Sequence, residues 1–280
     1  MKTRKFGYLN QEVPVLGQGT WQIPESGPAR EEAVKALVRG AELGMVHIDT
    51  AEMYGDAEQV VSEIFSQIPR EKWFIVSKVL PSNASYTATI EACERSLKKL
   101  KIDYLDCYLL HWRGHMPLTD TMAAFEKLEK DGLIKSFGVS NFDVEDLKEA
   151  IECLSRGRLA CNQVLYNPSV RAVERNLIPF CQKENIAFVG YTPFGNLPGK
   201  GTKEFKTLSK IAGKHSATIR QVVLAFLTRL PGTFSIPKAA KIAHVEENAQ
   251  AQKIELNEED LAMIDLVYPV PERDMPLEML

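Results

Sequence analysis

Eight short runs of β-branched and aromatic residues recur along the chain, and amphipathic helical spacing fills most of the intervals between them. Repeated strand–helix units of this kind build parallel sheets. At 280 residues, and without a break in composition, the chain is close to the ~250 residues typical of a closed barrel. The sequence therefore predicts an α/β fold, a single (β/α)8 TIM-barrel domain over residues 1–280. The predicted strands are Val15–Thr20, Met45–Thr50, Trp73–Lys78, Tyr104–His111, Ile134–Ser140, Cys161–Tyr166, Ile186–Tyr191 and Thr233–Pro237.

Both ends of the chain predict structure outside this repeat. Thr3–Gly7 and Glu12–Val13 flank Asn10, an arrangement that predicts an N-terminal β-hairpin closing the floor of the barrel. The last segment, Pro269–Leu280, contains three prolines and predicts an irregular arm on the surface.

Two of the predicted helices begin with capping signals. Asp143 precedes a helical segment, and Phe142 and Leu147 have the spacing of a hydrophobic staple around it. Thr218 and Gln221 have the spacing of a capping box ahead of an apolar run. These signals predict where the two helices start.

Composition argues against several classes of protein. The net charge is −3 and the basic residues are dispersed, which gives no electrostatic reason to expect nucleic acid or an anionic membrane as partner. No signal peptide is evident, and no run approaches the ~18 apolar residues that cross a bilayer. The five cysteines lack CxxC spacing, and no cluster has metal-ligand spacing. We expect a cytoplasmic protein without disulfides or metal, and its oligomeric state is left open.

Polar side chains stand at or near the carboxyl end of every predicted strand. In a barrel these ends converge on one bowl, which is where such folds carry their function. A lysine and an aspartate among them would be costly to bury unpaired, so solvation alone does not explain the pattern. The residues are Thr20, Trp21, Asp49, Lys78, His111, Ser140, Asn141, Gln163, Tyr191 and Lys238.

The chemistry available to these residues is limited. No nucleophilic Ser or Cys ends a strand, and Asp49 has no matched carboxylate, which disfavours acyl transfer and glycoside hydrolysis. What remains is the phenol of Tyr54 beside the ammonium of Lys78. We expect the cation to lower the tyrosine pKa, with Asp49 keeping Lys78 charged. Tyr54 would then protonate a carbonyl oxygen that His111 orients, and a cofactor must supply hydride.

At this point the sequence resembles the aldo-keto reductase superfamily. The motifs that carry the resemblance occur in family order and cover nearly the whole chain. They are His47–Gly55, Val76–Lys78, Leu110–Trp112, Gly138–Phe142, Asn162–Gln163, Tyr191–Gly195 and Ile236–Lys238. The resemblance implies a nicotinamide-dependent reductase of aldehydes and ketones, with Tyr54 as general acid. It further implies a substrate pocket lined by Trp21, Tyr54, His111 and Trp112.

The resemblance also implies how the nicotinamide half of the cofactor binds. Ser140, Asn141 and Gln163 would hold the carboxamide, Tyr191 would stack on the ring, and backbone groups at Thr192–Gly195 would meet the pyrophosphate. The complete set of implied cofactor contacts is Thr20, Trp21, Asp49, Ser140, Asn141, Gln163, Tyr191, Thr192, Phe194, Gly195, Lys238, Ala239, His244, Glu247 and Asn248.

The adenosine half departs from the family pattern. Lys238 would contact the phosphate on the adenosine ribose, and Glu247 and Asn248 would approach the adenine. Ala239 and His244 stand where the family usually has a hydroxyl residue and an arginine. Because arginine binds phosphate best, their loss weakens the preference for NADPH. NADPH remains the favoured cofactor, with NADH as an alternative.

A second departure concerns the substrate pocket. Arg113 replaces a usual proline, and the segments 113–120 and 196–204 and the C-terminal tail are short. These regions shape the pocket in the family, so short versions indicate an open site with broad specificity for small carbonyl compounds. Two other functions are alternatives on the same fold. One is a non-catalytic, nicotinamide-binding redox sensor or regulatory subunit, and the other is a hydrolase or lyase on the same barrel.

Overall fold

In a computed structural model that describes residues 1–280, eight parallel strands follow one another around a barrel in sequence order. Two parallel bridges between the first and last strand regions, Leu16 with Ser235 and Gly19 with Lys238, join the edges of the sheet. Gly17 N donates to Ser235 O at 2.8 Å across this seam. The predicted (β/α)8 fold is therefore confirmed. The barrel strands are β3 (Gln18–Gly19), β4 (His47–Asp49), β5 (Phe74–Val79), β6 (Cys107–Leu110), β7 (Phe137–Ser140), β8 (Leu159–Leu165), β9 (Ala187–Tyr191) and β10 (Thr233–Ser235).

The N-terminal hairpin is also confirmed. Strands β1 (Thr3–Lys5) and β2 (Glu12–Pro14) pair antiparallel ahead of the barrel. Phe6 lies between them and is fully buried, with its ring 4.8 Å from that of Phe74 and 5.1 Å from that of Phe234. The hairpin thus fills the amino-terminal mouth of the barrel with an aromatic side chain, which leaves only the opposite mouth open.

Side chains alternate along each barrel strand, and this alternation positions the polar residues. In β5, Phe74 and Val76 belong to the apolar cluster inside the barrel, and Lys78 is the next residue on the same face. In β6, Cys107 and Leu109 belong to that cluster and precede the following residue on their face, His111. The interior is therefore apolar for most of its height and becomes polar at the carboxyl ends.

Ten α-helices accompany the strands, and a second, larger apolar core of 49 buried residues includes side chains of both strands and helices. Both predicted capping signals are present, since Asp143 and Thr218 each accept from the N3 backbone of a capping box. The helices are α1 (Gly27–Glu42), α2 (Ala57–Ser62), α3 (Tyr86–Leu100), α4 (Leu118–Lys130), α5 (Val144–Glu152), α6 (Leu177–Lys183), α7 (Lys203–Lys214), α8 (Ile219–Leu227), α9 (Ile242–Gln250) and α10 (Glu258–Val267).

The C-terminal segment differs in part from the prediction. It contains no helix or strand after α10, as its prolines predict. Its last two residues, however, do not lie on a remote surface, because Met279 and Leu280 line the cavity at the open mouth of the barrel. No helix of the chain has both the length and the apolarity needed to cross a bilayer.

Candidate active site

A cavity of about 370 Å³ opens at the carboxyl ends of the barrel strands. This volume is within the range of small-molecule sites, and its lining combines aromatic side chains with a few convergent polar groups. The lining residues are Gly19, Trp21, Gln22, Asp49, Met53, Tyr54, His111, Trp112, Ser140, Asn141, Gln163, Tyr191, Thr192, Pro193, Phe194, Gly195, Ile236, Lys238, Met279 and Leu280. Most of the predicted site residues are among them.

Lys78 lies directly behind the cavity and is completely buried. Its Nζ donates to Asp49 Oδ1 at 2.6 Å and to the backbone oxygen of Thr50 at 2.9 Å. Burial opposes the charge on the ammonium, but Asp49 and Tyr54 outweigh it, so the pKa of Lys78 is raised. Gln163 Nε2 donates to the second carboxylate oxygen of Asp49 at 2.6 Å. Lys78 is therefore a fixed cation.

Tyr54 follows β4 on a short turn and brings its hydroxyl to this cation. The hydroxyl oxygen is 3.3 Å from Lys78 Nζ and 3.4 Å from His111 Nε2. Burial raises the pKa of Tyr54, and the opposing effect of Lys78 does not overcome it. The expected lowering of this pKa was therefore wrong, because partial burial of the phenol outweighs the nearby charge. At neutral pH the hydroxyl keeps its proton and is available as a donor.

His111 completes the group of four. Burial, together with the charge of Lys78, lowers its pKa to about 3. The imidazole is therefore neutral at pH 7 and can donate or accept a hydrogen bond without acting as a strong acid. Its ring is tilted against that of Trp112, with centroids 4.9 Å apart. This geometry suits the orientation of a carbonyl oxygen between His111 and Tyr54.

A connected set of amides and hydroxyls forms the adjacent wall of the cavity. Asn141 Nδ2 donates to the backbone oxygen of His111 at 3.1 Å and to Ser140 Oγ at 3.2 Å, and Asn141 Oδ1 accepts from the Tyr191 hydroxyl at 2.9 Å. Asn141 takes the left-handed conformation, with φ of 60°. Gln163 Oε1, by contrast, has no protein partner and remains an available acceptor for an amide N–H.

The same cavity carries a cation at another point of its wall. Lys238 is exposed, lines the cavity and makes no ion pair with a protein carboxylate. The wall thus offers an amide acceptor, a phenol ring at Tyr191 and a free ammonium. This donor and acceptor set fits a nicotinamide dinucleotide, which carries a carboxamide, an aromatic ring and phosphates.

Some predicted cofactor residues lie outside the cavity lining. Thr20 is buried and donates from Oγ1 to the backbone oxygen of Asp49 at 2.9 Å, which supports the site from behind. Ala239 and Asn248 are buried, and His244 is exposed on α9. Glu247 accepts a hydrogen bond from a neighbouring hydroxyl at 2.7 Å. Cofactor contact at these positions, as at the positions that line the cavity, stays a prediction.

Several lining residues were not singled out from the sequence. Met53 adjoins Tyr54 in the motif, and this adjacency was the signal for it. Gly19 and Gln22 likewise adjoin predicted residues, Pro193 falls within the predicted Thr192–Gly195 segment, and Ile236 begins the Ile236–Lys238 motif. No local signal marks Met279 or Leu280, because only the path of the irregular tail brings them to the cavity.

Arg113, the other departure from the family pattern, forms its side-chain hydrogen bonds with helix α5. Its guanidinium donates to both carboxylate oxygens of Glu149 at 2.7 and 2.8 Å, and to Asp146 at 3.3 Å. These bonds fasten the loop after β6 to helix α5. The residue therefore has a structural role in the loop that follows Trp112.

A closed (β/α)8 barrel with a buried Lys–Asp pair, a phenol and a neutral imidazole at its carboxyl mouth defines a class of oxidoreductases. Residues 15–269 match the Aldo/keto reductase family. The chain belongs to this family.

Individual relatives agree with this assignment. The chain is 43% identical over 272 residues to methylglyoxal reductase YeaE of Escherichia coli, covering 95% of each protein. It is 36% identical over 255 residues to glyoxal reductase of Bacillus subtilis, covering 91% of this chain and 88% of that protein. Among solved structures, an aldo-keto reductase from Klebsiella pneumoniae in complex with NADPH superposes with a TM-score of 0.93 at 42% identity. That match covers 100% of this chain and 99% of the other.

Proposed function

We propose that the protein reduces small aldehydes and ketones to alcohols, with NADPH as hydride donor and Tyr54 as general acid. One observation carries the proposal. The Tyr54 hydroxyl lines the cavity while lying 3.3 Å from the Lys78 ammonium and 3.4 Å from His111 Nε2. A carbonyl oxygen placed between Tyr54 and His111 would meet a proton donor and a neutral hydrogen-bond donor together.

The protein's own residues account for the proton half of the reaction. When bound, NADPH supplies the hydride that forms the new C–H bond at the carbonyl carbon. As the C=O π bond breaks, its electron pair takes the phenolic proton of Tyr54 and forms the alcohol O–H bond. Tyr54 is left as a phenolate beside the Lys78 ammonium, which stabilises the negative charge, and it regains a proton from solvent. Asp49 holds the ammonium in place throughout.

NADPH is supported as the cofactor by the residues that face the cavity. Gln163 Oε1 is free to accept from the carboxamide, and the Tyr191 ring is exposed to the same space. Lys238 offers a cation for a phosphate. Two solved aldo-keto reductase structures from Klebsiella pneumoniae, each 42% identical to this chain, are complexes with NADPH and with NADP. Because Ala239 and His244 lack a hydroxyl and a guanidinium, we propose that NADH also serves at lower efficiency.

The substrate is proposed to be a short 2-oxoaldehyde such as methylglyoxal, after the names of the E. coli and B. subtilis relatives. The cavity rim supports a broader range of apolar aldehydes as well. Trp21 and Met53 are 45% and 46% exposed at this rim, so apolar surface is available beyond the reacting carbonyl.

We place the protein in the cytoplasm, because its five cysteines are free thiols.

The test measures the consumption of NADPH by its absorbance when methylglyoxal or one of a panel of aldehydes is added. Tyr54→Phe should lower kcat by about 10²- to 10⁴-fold while NADPH still quenches protein fluorescence with unchanged affinity. Tyr86→Phe is the matched control, since Tyr86 is 41% exposed and outside the cavity lining. Binding of NADPH without turnover of any carbonyl would favour a redox sensor or regulatory subunit. Absence of binding to either nicotinamide nucleotide would refute both functions.

A further inference from the structure

Helix α8 carries an arginine whose charge no protein group neutralises. Arg220 is exposed, and its guanidinium forms no hydrogen bond or ion pair within the chain. Its guanidinium carbon lies 4.5 Å from the centroid of the Phe194 ring. Phe194 is itself a lining residue of the cavity, so Arg220 lies one side chain away from the cavity. A guanidinium held on an aromatic ring is positioned at little entropic cost.

The surroundings of Arg220 place it beside the adenosine half of the proposed cofactor site. Phe194 packs against an apolar cluster that contains Ala239 and Val245, at the start of α9. Thr218, two residues before Arg220, donates from Oγ1 to Glu247 on α9 at 2.7 Å. The amino-terminal turn of α8 is therefore joined to the segment that follows Lys238.

The charge available for a phosphate in this region is otherwise small. A phosphate monoester carries close to two negative charges at neutral pH. Lys238 provides one cation in the cavity lining. Ala239 has no polar side chain, and His244 stands where the family pattern has an arginine. A second permanent cation would balance the remaining charge, and one that offers two parallel N–H donors suits a phosphate best.

We propose that Arg220 supplies this second cation and binds the 2′-phosphate of NADPH together with Lys238. The proposal rests on the proposed function, since it names a determinant of cofactor choice within that site. Such a contact would let the chain prefer NADPH over NADH despite Ala239 and His244. The pyrophosphate is the competing anion, and it is common to NADPH and NADH, so the two ligands distinguish the alternatives.

The test measures dissociation constants of NADPH and NADH for the full chain by protein-fluorescence quenching. Arg220→Ala should raise the dissociation constant of NADPH by at least about 10-fold and that of NADH by less than about 2-fold. Arg220→Lys, which keeps the charge and loses the paired donors, should give an intermediate loss for NADPH. The affinity for adenosine 2′,5′-bisphosphate should change in these variants as the affinity for NADPH does. The affinity for ADP should change as the affinity for NADH does.

Arg158→Ala is the matched control. Arg158 is likewise exposed and lies over an aromatic ring, that of Tyr8, with its guanidinium carbon 5.5 Å from the centroid. It precedes β8 at the opposite end of the barrel and should leave both constants unchanged. Equal weakening of NADPH and NADH in Arg220→Ala, or no weakening of either, would overturn the proposal. Failure of the unaltered protein to bind either nucleotide would instead refute the proposed function.

Discussion

At the scale of single residues, the site depends on one buried ion pair. Lys78 is 0% exposed and Asp49 is 2% exposed, so neither charge is solvated. Each compensates the other, with Thr50 O and Gln163 Nε2 as additional partners. Removing one partner leaves an isolated charge in a medium of low polarity. The free-energy cost of that unpaired charge exceeds the net contribution of the intact pair to stability.

We therefore expect Lys78→Met to destabilise the protein by about 3–5 kcal/mol, because Asp49 is left buried without its cation. Adding Asp49→Asn should restore part of this free energy of unfolding, since the amide oxygen still accepts from Gln163. Urea denaturation of both variants measures the effect. A single variant as stable as the parent, or a double variant no better than the single, would contradict this account.

The pH dependence of catalysis is a second prediction at this scale. The pKa of His111 is lowered to about 3, and the pKa of Tyr54 is raised above its ordinary value. Neither group titrates between about pH 5 and 8, so kcat/KM for carbonyl reduction should be flat across this range. Steady-state rates in constant-ionic-strength buffers check it. A limb near neutral pH that disappears in His111→Asn would show that His111 titrates during turnover.

At the scale of elements, the turn after β4 decides where the Tyr54 hydroxyl lies. Gly55 takes a positive φ of 57°, and a Cβ there would come within 2.2 Å of Glu25 Oε1. The same Glu25 oxygen accepts from the backbone N–H of Asp56 at 2.9 Å. Glu25 lies between β3 and α1, so two loops of the barrel mouth are tied together beside Tyr54, the proposed general acid.

Removing this tie should affect turnover more than binding. Glu25→Ala is expected to lower kcat by about 3- to 10-fold, because a less restrained turn spends less time with Tyr54 correctly placed. NADPH affinity should not change. Glu25→Gln keeps the accepting oxygen and should retain the parent kcat. Equal losses in the two variants would show that the negative charge, and not the hydrogen bond, matters.

At the scale of the whole molecule, a buried histidine couples stability to pH. His47 lies in the barrel between aromatic rings, and neither ring nitrogen has a hydrogen-bond partner. Burial, with Lys78, lowers its pKa from 6.5 to about 3. Between about pH 3 and 6.5, His47 is therefore protonated in the unfolded chain and neutral in the folded chain. Above about pH 6.5 His47 costs the folded state no stability through this difference, and its destabilising contribution grows as the pH falls towards 3.

We expect His47→Gln to reduce the slope of unfolding free energy against pH in this window. One titrating group contributes up to about 1.4 kcal/mol per pH unit, and the variant should remove about that much. Urea unfolding at several pH values measures the slope, with exposed His115→Gln as the matched control. An unchanged slope in His47→Gln would show that the acid sensitivity arises elsewhere. A single transition in these curves would also support the predicted single domain.

The chain alone determined the order of strands and helices, the N-terminal hairpin and the polar residues at the strand ends. These features depend on local periodicity and on the alternation of side chains along a strand. Both patterns involve only residues that are close together in the sequence. Asp143 and Thr218 likewise mark helix starts through contacts only three residues away.

Only the tertiary structure decided the direction of the Tyr54 pKa shift, the position of Leu280 in the cavity and the placement of Arg220 on Phe194. The first depends on how deeply a side chain is buried, because desolvation and a nearby cation have opposite effects of similar size. The other two join residues that are distant in the chain, and no local pattern encodes such contacts. The strand ends predict which groups meet, and the packing around them sets their charge and their neighbours.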